Sequence, residues 1–247
     1  GGQANTNSTL GSSNFDGNIQ STVKANTTAG FSIVSYTGTG ADGTVGHGLG
    51  VTPSAIFLKN RDRSVDWIVK HKSATSGYIL YLNLNAAPDG ATGTNNGIIA
   101  DLSSSSTFSI TRTSNSGNYN NVGLNGEKVI AYCFSGVDGY SKFGSYTGNG
   151  NANGLVLYLG FSPAFLLIRR TDSGNNWRIF DSKRNAFNVV NSRLYADTTG
   201  TESTGSAVDF LSNGVKMRNS DNGMNTSGGT YIYFAFAKSP SKNSRAR

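Results

Sequence analysis

The side chains best able to do chemistry are scarce in this sequence. It holds two histidines, His47 and His71, one cysteine, Cys133, and 14 acidic residues. His47 lies in Gly46-His47-Gly48-Leu49-Gly50, where glycines permit a tight turn and close backbone approach. His71 follows Trp67 by four residues. Neither has a second histidine or a carboxylate nearby at metal-ligand spacing, so His47 reads as a turn residue and His71 as a surface residue. Asp62 with Asp66, or Asp172 with Asp181, would be the carboxylate pairs for acid/base work. Asp62 and Asp172 each follow an apolar run, however, where an Asx turn accounts for them more simply. No Gly-x-Ser-x-Gly elbow with a triad order is present, and residues 39–43 lack the Gly-Lys-Ser/Thr ending of a phosphate loop. The reading is of a chain with no catalytic residue, no metal ligand and no cofactor. Cys133 lies in an apolar run and behaves there as a small buried hydrophobe.

The remaining reactive resource is positive charge. Lys and Arg number 21, which gives a formal charge of +7 and an isoelectric point near 9.5. These residues are scattered, apart from Arg169-Arg170, Lys183-Arg184 and the tail from Lys238 to Arg247. Arg169, Arg170, Lys183 and Arg184 are therefore the candidates for contact with a ligand or partner. A basic balance suits acidic neighbours. No basic stripe is interleaved with exposed aromatics, which argues against nucleic acid. No run approaches the roughly 20 apolar residues that span a bilayer.

An internal duplication must position these side chains. Tyr36-Thr37-Gly38 recurs as Tyr146-Thr147-Gly148, and at the same shift Pro53 meets Pro163, Asp62 meets Asp172 and Trp67 meets Trp177. Ile56-Phe57-Leu58-Lys59 meets Leu166-Leu167-Ile168-Arg169. Towards the ends the shift shortens, and Ile130, Tyr132 and Phe134 meet Ile232, Phe234 and Phe236. His47 falls on Leu157 and His71 on Asp181, so neither imidazole is needed by the fold. A tryptophan at one position in both copies reads as core packing rather than a sugar platform.

Period-two alternation makes the apolar runs strands. Leu80, Leu82 and Leu84 share one face of a strand, and Ile130, Tyr132 and Phe134 share another, with smaller Val129, Ala131 and Cys133 opposite. The aromatic face is the expected core face. With 32 glycines and polar Gly/Asn/Ser/Thr clusters between runs, the fold class is all-β. The expected architecture is two tandem β-sandwich-like lobes, residues 30–138 and 139–240, with a basic polar tail at 241–247. One sandwich built from both halves is the alternative. Residues 1–29 carry few large apolar side chains and read as an extended arm. Its Leu10, Phe15, Ile19 and Val23 are the candidate assembly contacts, anchoring on a neighbouring chain or on the first lobe.

The phrases G-F-S-I-V-S-Y-T-G-T-G (30–40), T-V-G-H-G-L-G (44–50), D-W-I-V-K-H (66–71), G-Y-S-K-F-G-S-Y-T-G-N-G (139–150) and T-Y-I-Y-F-A-F-A (230–237) resemble a phage protein family. That family occurs mainly in marine and environmental tailed phages, where its members are described as virion or tail-fibre-like proteins. The resemblance spans about residues 19 to 240. It implies a structural part of the virion, in contact with other virion proteins and with copies of itself as a homo-oligomer. A tail fibre or host-adhesion protein comes first and a capsid decoration or head-fibre protein second. In longer members a concanavalin-like lectin domain precedes this module. A carbohydrate-binding lectin module reading a host surface glycan is the alternative of another class. The resemblance carries no catalytic residue.

Overall fold

The computed structural model describes residues 11–75, 78–90, 98–111, 122–205 and 207–239. Among these there is no helix, and the chain forms two compact units. The first holds β1 (Ser12–Asn14), β2 (Ser21–Asn26), β3 (Phe31–Thr37), β4 (Gly43–Gly46), β5 (Ala55–Asn60), β6 (Ile68–His71), β7 (Tyr78–Tyr81), β8 (Asp89–Gly90), β9 (Ile98–Asp101), β10 (Thr107–Thr111) and β11 (Lys128–Phe134). They make an eight-stranded sheet ordered β1-β2-β3-β11-β5-β6-β7-β8 and a three-stranded sheet ordered β4-β10-β9. One hydrophobic cluster joins the two, with Val34, Ile56, Leu58, Val129, Ala131 and Cys133 from the large sheet and Val45, Phe108 and Ile110 from the small one. Two sheets with one shared apolar interior make a sandwich.

The second unit contains β12 (Ser141–Thr147), β13 (Val156–Tyr158), β14 (Pro163–Arg170), β15 (Arg178–Asp181), β16 (Leu194–Tyr195), β17 (Val208–Phe210), β18 (Gly214–Met217) and β19 (Thr230–Ala237). Its sheets are ordered β12-β19-β14-β15-β16 and β13-β18-β17. Strand for strand these orders repeat β3-β11-β5-β6-β7 and β4-β10-β9, so the duplication is one of topology as well as of sequence. The division falls between Ser135 and Gly136, and Leu82–Pro88 also belongs to the second unit.

The repeated Tyr-Thr-Gly phrase has a mechanical reason. The Tyr36 hydroxyl donates to the Val122 carbonyl at 2.7 Å, and the Tyr146 hydroxyl donates to the Met224 carbonyl at 2.7 Å. Each ties the end of a long strand to the loop before the last strand of its lobe. Two residues on, a Cβ on Gly38 would lie 2.2 Å from the Leu124 oxygen, and one on Gly148 would lie 2.2 Å from the Thr226 oxygen. Only glycine admits that approach.

Several expectations need correction. Residues 12–26 are not an arm: β2 pairs antiparallel with β3 from Ser21–Tyr36 to Asn26–Phe31, and β1 pairs with β2. Ile19 and Val23 are buried in the first core, and Ile19 forms a parallel bridge to Val45 in the small sheet. Two apolar side chains suffice because a hairpin added to an existing edge gains backbone bonds and needs only to close one side of a core. Residues 1–10 and 240–247, including Leu10 and the basic tail, lie outside the described residues. The core face of β11 is Val129, Ala131 and Cys133, all fully buried, while Ile130, Tyr132 and Phe134 are half-buried on the opposite face. Small residues fit there because the facing sheet supplies large ones, Phe108 among them. The strand expected through Leu84 ends at Tyr81. Trp177 is fully buried, tilted against Phe234 at 6.1 Å, whereas Trp67 is half-buried and stacked on Tyr132 at 6.2 Å.

Candidate functional site

The four cations singled out by their sequence positions are separated by the strand that carries two of them. Alternation along β14 sends Arg169 and Arg170 to opposite faces. Arg169 is fully buried; its Nη2 donates to the Ala86 carbonyl, and its guanidinium lies 5.7 Å from the Trp177 ring centroid. Its Nε and Nη1 are buried without a hydrogen-bond partner, and burial lowers its pKa to about 10, so it stays cationic at neutral pH. Arg170 clamps Asp172 through Nε at 2.6 Å and Nη2 at 3.0 Å, and also donates to Asn222. That hydrogen bonding raises the Arg170 pKa and lowers that of Asp172. Arg184 bridges Asp181 at 2.6 Å and Glu202 at 3.2 Å. Among the described residues neither Arg169 nor Lys183 forms an ion pair, and of the two Lys183 is the exposed one. No common anion site results.

The segment after β15 holds the most exposed large apolar side chain among the described residues. Asp181 Oδ1 accepts from the backbone N–H groups of Lys183 and Arg184, both at 2.9 Å. Asn185 Oδ1 accepts from Ser192 N–H at 2.8 Å. Asn188 brackets the Phe210 backbone, accepting at 2.8 Å and donating at 3.0 Å. Between these anchors Phe187 is 86% exposed, with Val189 beside it in sequence also exposed. An aromatic on a pinned loop loses little freedom when a partner covers it. Sequence reasoning missed Phe187 because one Phe inside Asn-Ala-Phe-Asn carries no periodicity. On β13, Tyr158 is 66% exposed, with Lys142 Nζ 5.3 Å from its ring centroid and donating to its carbonyl at 2.8 Å.

In the first lobe the turn between β1 and β2 holds Phe15, 51% exposed. Asn18 fixes that turn, accepting from Thr44 N–H at 2.6 Å while its own N–H donates to Thr44 Oγ1 at 3.1 Å. Beside it lies an open depression of about 520 Å³ lined by Gln20, Ser21, Thr22, Ser35, Thr37 and Lys128. Hydroxyls, an amide and one ammonium can hydrogen-bond a polar, hydrated ligand such as a sugar, without activating a nucleophile.

The titratable candidates are otherwise used structurally. Asp62 Oδ2 accepts from Lys128 N–H at 2.7 Å, a bond to β11 rather than within its own turn, where Asn60 Oδ1 accepts from Asp62 N–H at 2.9 Å; this corrects the Asx-turn reading of Asp62. His71 is fully buried, which corrects its surface assignment, and its Nδ1 accepts from Ser73 N–H at 3.1 Å. Asp181 does the same work for Lys183 in the second lobe, so an imidazole nitrogen and a carboxylate oxygen are interchangeable there. His47 is also fully buried, its Nδ1 accepting from Leu49 N–H at 3.2 Å. Val45 faces Phe108 in the ladder as Leu157 faces Val215, so the structural mate of His47 is Leu159 rather than Leu157. Cys133 is buried and free, its thiol pushed up to about 12 by burial. Among the described residues no three of His, Cys, Asp and Glu gather as metal ligands would.

No helix in the described residues is long and apolar enough to cross a membrane. No curated protein and no solved structure matches the chain. A family model matches residues 4–240, which take in both lobes and the β1–β2 hairpin. The chain therefore belongs to the family described as Domain of unknown function (DUF7483).

Proposed function

We propose that this chain is a non-enzymatic structural protein of a bacteriophage particle, working as a tail fibre or tail-associated host-adhesion protein alongside copies of itself and other virion proteins. The observation that carries the reading is the division of labour among side chains. Histidines, aspartates and most of the candidate cations brace turns and ion pairs, as with His71 at Ser73 and Arg184 at Asp181. What is left at the surface includes single aromatics, Phe187 and Phe15 on pinned loops and Tyr158 on β13, among hydroxyl- and amide-rich turns. That pattern suits contact by shape and hydrogen bonding rather than bond-making. The resemblance of the repeated Tyr-Thr-Gly phrases to virion proteins of tailed phages supports the same reading.

Reconstruction of intact particles of the source phage, with a tag in the 199–205 loop, is the test. Tagged density at the tail supports the proposal, density over the capsid replaces it with the decoration reading, and absence from purified particles overturns both. The polar depression beside Ser35 and Thr22 favours a carbohydrate-binding module as the second reading. A glycan array on the purified chain tests it, with loss of signal on Ser35→Trp expected if the depression is the site.

A further inference from the structure

The two lobes differ at one sheet edge. In the first, β3 is covered by β2, which pairs with it over six residues, and the sheet then ends in the three-residue β1. In the second, the matching strand β12 pairs with β19 on one side; on the other, Ser141 at its start is bridged by Val137, and beyond Ser141 the strand is the edge of its sheet among the described residues. It is seven residues long, while β1, β4, β8, β9, β13, β16 and β17, the other edge strands, run two to four. Its ladder with β19 is regular from Ser141–Phe236 to Thr147–Thr230, without a bulge, and it contains no proline. Its one charge, Lys142, is held over Tyr158 rather than projecting from the edge. Shortness, bulges, prolines and projecting lysines are what keep an edge from pairing, and β12 has none of them.

The hydrogen-bond phase shows which groups point outward. Ala237 N–H donates to the Tyr140 carbonyl and Gly148 N–H donates to the Gly229 carbonyl. Even-numbered residues of β12 therefore bond to β19, and Ser145 and Thr147 turn their N–H and C=O groups away from it. Both residues are exposed. The core behind this edge is already closed, because Tyr233 fills the place left by Gly144. An incoming strand thus has backbone bonds to offer and no missing hydrophobe to supply.

We infer that β12 pairs antiparallel with β12 of a second copy of this chain, about a two-fold axis at Ser145. The occupant is a copy because the strand is complementary to itself. Rotation about Ser145 sets Ser145 opposite Ser145 and Phe143 opposite Thr147, and on the other face Gly144 opposite Tyr146. No like charges meet and no two bulky rings collide. The first lobe seats a strand of this same chain on the same edge, which demonstrates that the lobe's architecture accepts one there. The result is one sheet continuous across two second lobes.

Sedimentation equilibrium of the full chain across a wide concentration range tests the inference. Wild type is expected to dimerise. Ser145→Pro removes an outward N–H while leaving the β19 ladder intact, so both lobes stay folded by circular dichroism and the dimer weakens by about tenfold or more. Ser145→Lys sets two ammonium groups at the axis; its association is expected to be weak at low salt and partly restored at high salt. In wild type the Ser145 amide exchanges slowly at high concentration and quickly on dilution. A chain that is monomeric throughout, or a dimer unaffected in either variant, overturns the inference.

Discussion

The first and second lobes solve one packing problem with opposite choices. At the centre of the first, Val34 on β3 faces Ala131 on β11; at the matching place in the second, Gly144 on β12 faces Tyr233 on β19. A medium residue beside a small one is exchanged for none beside a large one. A Cβ on Gly144 would lie 2.6 Å from the Tyr233 hydroxyl, so the ring already fills that space. The first lobe instead adds Val23 from β2 and Ile19 from the turn before it. One lobe closes its core with an extra hairpin and the other with a single tyrosine. A duplicated sandwich can therefore keep its strand order while changing which edge it leaves open, because total volume and pattern are conserved rather than residues.

Val23→Asp should break the first solution outright. It sets a carboxylate in an apolar core with no cation opposite, at a cost of about 3 kcal/mol or more. Urea denaturation followed separately in each lobe should show the first transition lost or shifted far down, and the second unmoved. The complementary test is a cycle on Gly144→Val and Tyr233→Ala. Each single change is expected to destabilise the second lobe by about 2–4 kcal/mol, by crowding in one case and a cavity in the other. The double variant reproduces the Val34–Ala131 arrangement and should cost clearly less than the sum. Additive effects would mean that the two positions do not share one space.

How much of this was legible beforehand differs by element. Trp67 and Trp177, and the Tyr-Thr-Gly phrases, revealed the duplication, because a shared turn needs its glycine and its hydroxyl in both copies. The orientation of β11 was not legible. Both of its faces are apolar, and bulk alone does not say that Val129, Ala131 and Cys133 turn inward towards Phe108. The hairpin at 12–26 was missed because strand edges are held by backbone bonds that polar residues make as well as apolar ones. Among the candidate contacts, Arg169 was read from charge alone, while its burial beside Trp177 depends on strand phase. Phe187 left no pattern to read; its exposure follows from Asn185 and Asn188 pinning the chain on either side.

Smaller effects sharpen the correspondence between the lobes. Tyr36→Phe and Tyr146→Phe each remove one hydroxyl-to-carbonyl bond of 2.7 Å. Each is expected to cost about 1–2 kcal/mol. The two costs should be alike, since Val122 and Met224, whose carbonyls accept the bonds, are both buried. Stability curves on the two variants check the match.

The smallest effect is in pH. Burial lowers the His47 pKa from its ordinary 6.5, so the folded lobe holds it neutral. Below 6.5 the unfolded chain takes up the proton first. The stability this residue contributes is therefore present above 6.5 and is lost as pH falls from there through the lowered folded value. His47→Leu, which copies Leu159, should flatten that part of the pH dependence in the first lobe alone. Urea midpoints at about pH 7.5 and about pH 5 measure it.

The central claim is that residues 11–26 complete the first lobe and have no counterpart among the described residues of the second. Amide hydrogen exchange on the full chain and on a chain lacking residues 1–26 tests it most directly. Removing the hairpin uncovers the β3 edge and takes Ile19 and Val23 from the core, so amides of β3 and β11, including those of Ile33, Val34 and Cys133, should exchange far faster. Amides of β14 and β19 in the second lobe should keep their rates. Unchanged protection in β3 and β11 after truncation would contradict the account and return residues 11–26 to the role of a detachable arm.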